Sequence, residues 1–110
     1  MGENKTELVK LVVYVPETDA DRVREAMGKA GAGVIGNYQF CSFSIKGVGR
    51  YLPVAGAKPA IGKVGKLEEV AEERIEVTCE RKDLKKIITA VKKVHPYEEV
   101  AYDIYPLILT

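Results

Sequence analysis

The sequence predicts an α+β domain of the ferredoxin-like kind: a split βαβ-βαβ sandwich, with an antiparallel sheet and two helices on one face. Three observations lead there. Short runs of β-branched or alternating residues recur four times along the 110 residues, the pattern of strands. Two intervening segments repeat apolar residues at helical spacing. The resulting order of strand, helix, strand, strand, helix, strand is that of the split βαβ unit.

Residues 8–15 (LVKLVVYV) are short and β-branched, a buried strand that Pro16 ends. Thr18-Asp19-Ala20-Asp21 then offers a helix start, with acidic charge at the positive helix end. Val23, Met27 and Ala30 follow on one stripe, and Gly31 is the natural stop. Residues 34–45 (VIGNYQFCSFSI) alternate as a second strand, with Tyr38, Phe40, Ser42 and Ser44 to one side and Gln39, Cys41, Phe43 and Ile45 to the other. Gly47-Val48-Gly49 signals a tight turn, after which residues 50–54 return as a short strand. Residues 55–66 (AGAKPAIGKVGK) read as an irregular loop carrying three lysines. Residues 73–80 (ERIEVTCE) alternate with Ile75, Val77 and Cys79 inward, and this third strand has room to begin near Leu67. Asp83 is placed to cap a second helix whose stripe is Leu84, Ile87, Ile88, Val91 and Val94. Pro96 blocks its continuation and pushes His95 out of the helical region. Residues 101–107 close the sheet. Val23, Met27, Leu84, Ile87, Ile88 and Val91 are expected between helices and sheet.

The length suits one domain over residues 7–110 behind a flexible polar tail over residues 1–6, with a core that needs neither disulfide nor metal. A composition 46% hydrophobic and 30% charged argues against disorder. With 17 basic and 16 acidic residues the net charge is +1, which supplies no general attraction to nucleic acid or an anionic membrane. Lys82, Lys85, Lys86, Lys92 and Lys93 read as a solvated helix face. Cys41 and Cys79 lack zinc spacing and read as buried free thiols. No apolar run reaches the roughly 18 residues of a membrane span, and the N-terminus lacks a signal-peptide core. Cytoplasm is the expected compartment.

Two motif strings fail on context. Gly31-Ala32-Gly33-Val34-Ile35-Gly36 matches G-x-G-x-x-G, but a helix precedes it and a strand follows, so no helix N-terminus meets a pyrophosphate. Between Gly56 and Lys63 the glycine spacing is one residue too long for a P-loop, and Val64 stands where Ser or Thr binds magnesium. A looser use remains: glycine-rich backbone with Lys58, Lys63 and Lys66 could cradle an anion through its N–H groups, although plain solvated loops more often have this composition. His95, the only histidine, begins His95-Pro96-Tyr97-Glu98-Glu99 at a helix-to-strand corner. These groups could bind a metal or act as an acid–base pair. Equally they could cap a helix end and pin a turn, and pattern alone favours that structural role. Tyr102 and Tyr105 on the last strand suit sheet completion or a subunit contact.

Residues 95–107 (HPYEEVAYDIYPL) closely resemble the signature of the PII-like domain inserted in Nif-three-like (YqfO-type) proteins. Residues 47–76 resemble that domain's middle, through Gly47, Gly49, Pro53, Gly56, Ala57, Pro59, Gly62, Gly65 and Arg74-Ile75-Glu76, with Val48 where Thr is expected. The resemblance covers about residues 8–107. The CutA family is similar more distantly, at His95-Pro96-Tyr97-Glu98. CutA and PII proteins are typically trimers, so the resemblance implies a domain that oligomerises through sheet edges, here free-standing. Nif-three-like proteins carry a two-metal site in flanking domains; a chain with one histidine does not inherit it, nor any hydrolase label that goes with it.

The expectation is a non-enzymatic regulatory or assembly domain without a cofactor. It forms a homo-oligomer, trimer ahead of dimer, and senses a small anionic or nucleotide ligand at a subunit cleft. The ligand residues are Lys58, Gly62, Lys63, Gly65, Lys66, His95, Tyr97 and Glu98, where the loop and the corner meet. The alternative is a CutA-type divalent metal (copper) protein using His95 with Glu98. An acid–base enzyme using His95 and Glu98 or Glu99 is a third class. No nucleic-acid or membrane partner is expected.

Overall fold

The computed structural model describes residues 7–108, so the expected tail over residues 1–6 lies outside them. Strands β1 (Leu8–Pro16), β2 (Phe43–Tyr51), β3 (Glu68–Glu80) and β4 (Tyr102–Pro106) form one sheet in the order β2-β3-β1-β4. Every neighbouring pair is antiparallel. Helices α1 (Ala20–Lys29) and α2 (Leu84–Val94) follow β1 and β3, each after a single 3-10 turn. The expected α+β architecture is the one observed.

The core lies between the helices and one sheet face. Val9, Leu11, Val13 and Val15 of β1 alternate onto that face, and the antiparallel register sets them beside Cys79, Val77, Ile75 and Glu73 of β3. Val23, Met27, Ile87 and Val91 cover them from the helices and are buried, while Leu84, Ile88 and Val94 pack against the rim. Apolar residues at this density fill a core without covalent staples. Asp19 and Asp83 hold the N-cap positions, but neither makes a side-chain cap bond. Asp19 instead takes the Arg22 guanidinium. Gly31, with φ +104, ends α1 as expected.

The second strand is displaced from its expected place. Residues 34–42 form no strand beyond a bridge between Ile35 and Tyr38. Gly33 and Gly36 take positive φ there, and Phe40 does so at φ 59. The alternation of Tyr38, Phe40 and Ser42 is coincidental: Phe40 lies across Gly28 of α1, where a Cβ would meet its ring. Cys41 is partly exposed rather than a buried strand thiol, while Cys79 is buried as expected. Residues 47–49 make no turn. They run through the middle of β2, which takes in only Arg50 and Tyr51 of the expected return strand over residues 50–54; residues 52–54 belong to no strand. The connection to β3 is therefore residues 52–67, and β3 does begin close to Leu67, at Glu68.

β3 outruns β1. β1 pairs with Glu72–Glu80, whereas Glu68–Ala71 pair with β2 alone. The β2–β3 hairpin thus projects from the body, and the molecule measures 53 × 26 × 24 Å.

The turn after α1 is held through Gly33, whose N–H donates to Thr78 O and whose carbonyl accepts from the Cys41 N–H. A Cβ on Gly33 would stand 2.3 Å from Cys41 O, whereas one on Gly36 would meet nothing. Both residues have positive φ. Gly33→Ala is expected to lower stability by about 3 kcal/mol, combining backbone strain with overpacking, and Gly36→Ala by about 1 kcal/mol. Urea unfolding midpoints measure both; equal losses would show that the turn yields without cost.

Candidate functional site

The corner after α2 is built on His95, which is buried. Its φ of −79 and ψ of 135 are the extended conformation that Pro96 requires. The His95 Nδ1 accepts the Tyr97 N–H at 3.1 Å, and Nε2 lies 2.7 Å from the carbonyl oxygen of Tyr14. These partners assign the proton to Nε2, which donates to that carbonyl. The Tyr14 N–H bonds Ala101 O, so the corner satisfies both backbone groups of Tyr14 beyond the end of the β1–β4 ladder.

Tyr97 carries the corner across to the hairpin. Its ring stands edge-on to Tyr51 at 5.7 Å and tilted to His95 at 5.1 Å. Its hydroxyl donates to Glu72 Oε2 at 2.9 Å. Glu72 is buried and lies on the sheet face away from the helices, directly opposite Gly47. A Cβ on Gly49 would stand 2.2 Å from its carboxylate. Of the two glycines that resemble a turn signal, Gly49 is thus the gap in β2 that admits the Glu72 carboxylate, whereas a Cβ on Gly47 would meet nothing. Burial, and then the bond to Glu72, push the Tyr97 hydroxyl far above the ordinary tyrosine range.

The loop folds back on the same place. The Lys58 N–H donates to Glu98 Oε1 at 2.7 Å, the Tyr51 hydroxyl to Ile61 O at 2.7 Å, and the Gly65 N–H to Pro53 O at 2.7 Å. Between loop, hairpin end and corner lies a cleft of about 410 Å³, within the range of small-molecule sites. Leu52, Pro53, Val54, Ala57 and Pro59 give it apolar walls; Tyr51 and Tyr97 add ring surface, and Arg50, Glu72, Glu98 and Glu99 add charge.

The structure brings together only some of the residues expected at a site. Tyr97 and Glu98 line the cleft, and Lys58 reaches it through its backbone bond to Glu98. Gly62, Lys63, Gly65 and Lys66 do not line it. The N–H groups of Lys58, Gly65 and Lys66 are already bonded within the protein, so they are not an open anion cradle. His95 lies beneath the cleft with both ring nitrogens engaged, and Glu98 is tied to the loop. That geometry does not fit a metal held by His95 and Glu98, nor a general base at His95 facing a substrate. Among the described residues no cluster of three or more His, Cys, Asp or Glu could hold an ion. Tyr51, Glu72 and Pro53 were not anticipated. The one signal for Glu72 was an acidic residue facing a glycine across a hairpin, legible only once the register is known.

No family model matches the chain. It is 54% identical over 100 residues to a GTP cyclohydrolase 1 type 2 homolog of Halalkalibacterium halodurans, a match covering 91% of this chain and 27% of that protein. A Bacillus cereus protein related to NIF3 superposes with a TM-score of 0.81 at 49% identity, over 93% of this chain and 26% of that one. The chain thus spans about a quarter of the length of these relatives and is similar to one segment of them. Two more distant structures share the fold. A periplasmic divalent cation tolerance protein CutA from Archaeoglobus fulgidus has a TM-score of 0.69 at 14% identity, covering 94% of this chain and 86% of that one. The B. subtilis GlnK–ATP complex has 0.62 at 12%, covering 92% and 82%. The resemblance to the PII/CutA-like domain of Nif-three-like proteins therefore holds, in sequence for the first group and in fold for the second.

The Tyr97–Glu72 bond is expected to carry measurable stability. Tyr97→Phe leaves the buried Glu72 Oε2 unpaired and should cost about 1–3 kcal/mol at neutral pH. The folded protein retains the Tyr97 proton at pH values where an unfolded tyrosine, near about 10, has lost it. The unfolded state then binds fewer protons, so this contribution is complete below that pH and falls as pH rises beyond it. Urea titrations of both proteins across the alkaline range should show the gap narrowing above pH of about 10; a constant gap would dissociate the hydroxyl from the effect.

Proposed function

We propose that this chain is a non-enzymatic regulatory or assembly module that forms a homo-oligomer and takes a metabolite-sized ligand in the Tyr51–Tyr97 cleft. The cleft itself carries this reading. Its two walls come from the loop over residues 52–67 and the corner over residues 95–99, joined by the Lys58–Glu98 bond, while the Tyr97–Glu72 bond ties the corner to β3. A ligand between them bears directly on the hairpin that projects from the body, and that hairpin is the element placed to reach a second subunit. Occupancy and assembly are coupled through one rigid element, as regulation by population shift requires.

The sheet supports assembly. The outer edges of β2 and β4 have no partner strand among the described residues. The face away from the helices carries a polar lattice in which Arg74 bonds Glu76 and the Tyr14 hydroxyl. Beside it Phe43, Ile45 and Tyr105 are left exposed. Unpaired edges flanking an exposed apolar surface are what a symmetric partner covers. A trimer is the preferred state, on the resemblance to CutA and PII proteins.

Light scattering at micromolar concentration tests the assembly. A trimeric mass is expected, and Phe43→Asp, which sets a carboxylate opposite Glu76 on the open face, is expected to give monomer with unchanged circular dichroism. A monomeric mass for the unaltered protein overturns the reading. For the ligand, thermal shift is the measurement: a compound that binds the folded state at 100-fold its Kd adds about 2.7 kcal/mol and raises the Tm.

A further inference from the structure

The lining of the cleft specifies a ligand chemistry different from the one its neighbouring lysines suggest. Glu72, Glu98 and Glu99 line it as carboxylates, and Arg50 is the lone cation of the lining. Arg50 is already engaged, its Nε donating to Glu69 Oε2 at 2.8 Å. The side chains of Lys58, Lys63 and Lys66 lie outside the lining. An anion entering here meets like charge with no ammonium group to offset it.

Glu72 is the informative residue. It is nine-tenths buried at 9% exposure. Its Oε2 accepts the Tyr97 hydroxyl, while Oε1 lies over Gly49 and receives no donor from the described residues. That oxygen is not sealed from solvent, so it is open at the cleft to a donor from outside the chain. Glu98, an exposed residue, offers a second open acceptor: Oε1 takes the Lys58 N–H and Oε2 has no protein partner among the described residues. The Tyr51 and Tyr97 hydroxyls are both engaged, on Ile61 O and Glu72, so these residues contribute ring surface rather than donors. Leu52, Pro53 and Val54 complete an apolar wall.

We infer that the cleft binds an organic cation: an ammonium or guanidinium group on an apolar or aromatic body. Glu72 and Glu98 accept its N–H groups, and Tyr51 and Tyr97 lie against its body. The inference rests on the reading of this cleft as a ligand site and names what the site takes. Charge-assisted bonds to carboxylates hold the cationic head. The tyrosine ring faces attract the same charge. The apolar wall removes the rest of the molecule from water.

The test is NMR titration of the full chain with phenethylamine, methylamine, ATP and inorganic phosphate, following the amide signals of Tyr51, Tyr97 and Glu98. Phenethylamine is expected to shift all three. Methylamine, which lacks the apolar body, should bind at least about tenfold more weakly, the effect of removing one aromatic ring from a buried wall. Glu98→Gln keeps an acceptor for the Lys58 N–H while removing the charge, and should weaken phenethylamine about fivefold or more; Glu99→Gln, at an exposed position, repeats the test without touching that bond. Equal binding of the two amines, or no effect of either substitution, overturns the inference. Shifts caused by ATP or phosphate and not by phenethylamine overturn it as well, while leaving the cleft a ligand site. No shift from any probe up to about 10 mM, weaker than any affinity of biological use, overturns both the inference and the cleft as a site.

Discussion

The burial of one carboxylate is the constraint on which the arrangement of this protein turns. Glu72 sits at the point where β3 leaves the body and becomes the projecting hairpin. Placing a carboxylate there requires space and a donor. The space comes from Gly49, where a Cβ would meet the carboxylate, and the donor is the Tyr97 hydroxyl. Tyr97 in turn is held by His95, whose Nδ1 accepts its N–H and whose Nε2 anchors the corner to β1. Chain segments far apart in sequence are thus tied at one locus, and the cleft forms as the remaining gap between them.

This linkage explains why a polar residue replaces an apolar one at the base of the hairpin. An apolar side chain would pack there more cheaply, since buried ionic groups seldom add net stability over hydrophobic ones. What the carboxylate adds is direction. Tyr97 must point toward the hairpin for its bond to form, and the corner then fixes the orientation of Glu98, which receives the Lys58 N–H of the loop. The loop itself has few buried side chains, Pro53 being one, and is shaped by backbone bonds such as Gly65 N–H to Pro53 O. A loop held by a few such bonds sits at the low-stability end of a structure, where ligand-dependent order is found.

The helical layer and the open face divide the labour. Helices cover one side of the sheet with the residues that hold the fold together, Val23, Met27, Ile87 and Val91. The other side carries Arg74, Glu76 and Tyr14 in a bonded lattice with Phe43 and Ile45 exposed beside it. A sheet with one face packed on a core and one not is the ordinary antiparallel arrangement. Here the uncovered face and the projecting hairpin lie on the same strands, so whatever meets one bears on the other.

Much of this was legible in the sequence because it depends on period alone. The stripes of the two helices, the alternation of β1 and β3, the stop at Gly31 and the extended His95 before Pro96 each follow from local chemistry. Whether the loop over residues 56–66 meets the corner over residues 95–99 does not follow from the sequence; it takes the fold to bring the Lys58 N–H to Glu98. The start of β2 was not legible. Residues 34–42 alternate as a strand would, yet Phe40 is claimed by Gly28 of α1, a contact between segments that local pattern does not report. Gly47 and Gly49 look like a turn because glycine pairs usually relieve backbone strain; here Gly49 relieves a steric conflict with the Glu72 side chain on the neighbouring strand. The lysines of the loop invited an anion because charge is visible in sequence, whereas the direction of each N–H and ammonium group is not. Sequence by itself determined which apolar residues of β1, β3 and the two helices avoid water, and tertiary structure decided the bounds of β2, the burial of Glu72 and the register of the strands. Burial is a property of one residue's chemistry and period, but register is a property of two segments at once, set where the Glu72 carboxylate found its gap and its donor.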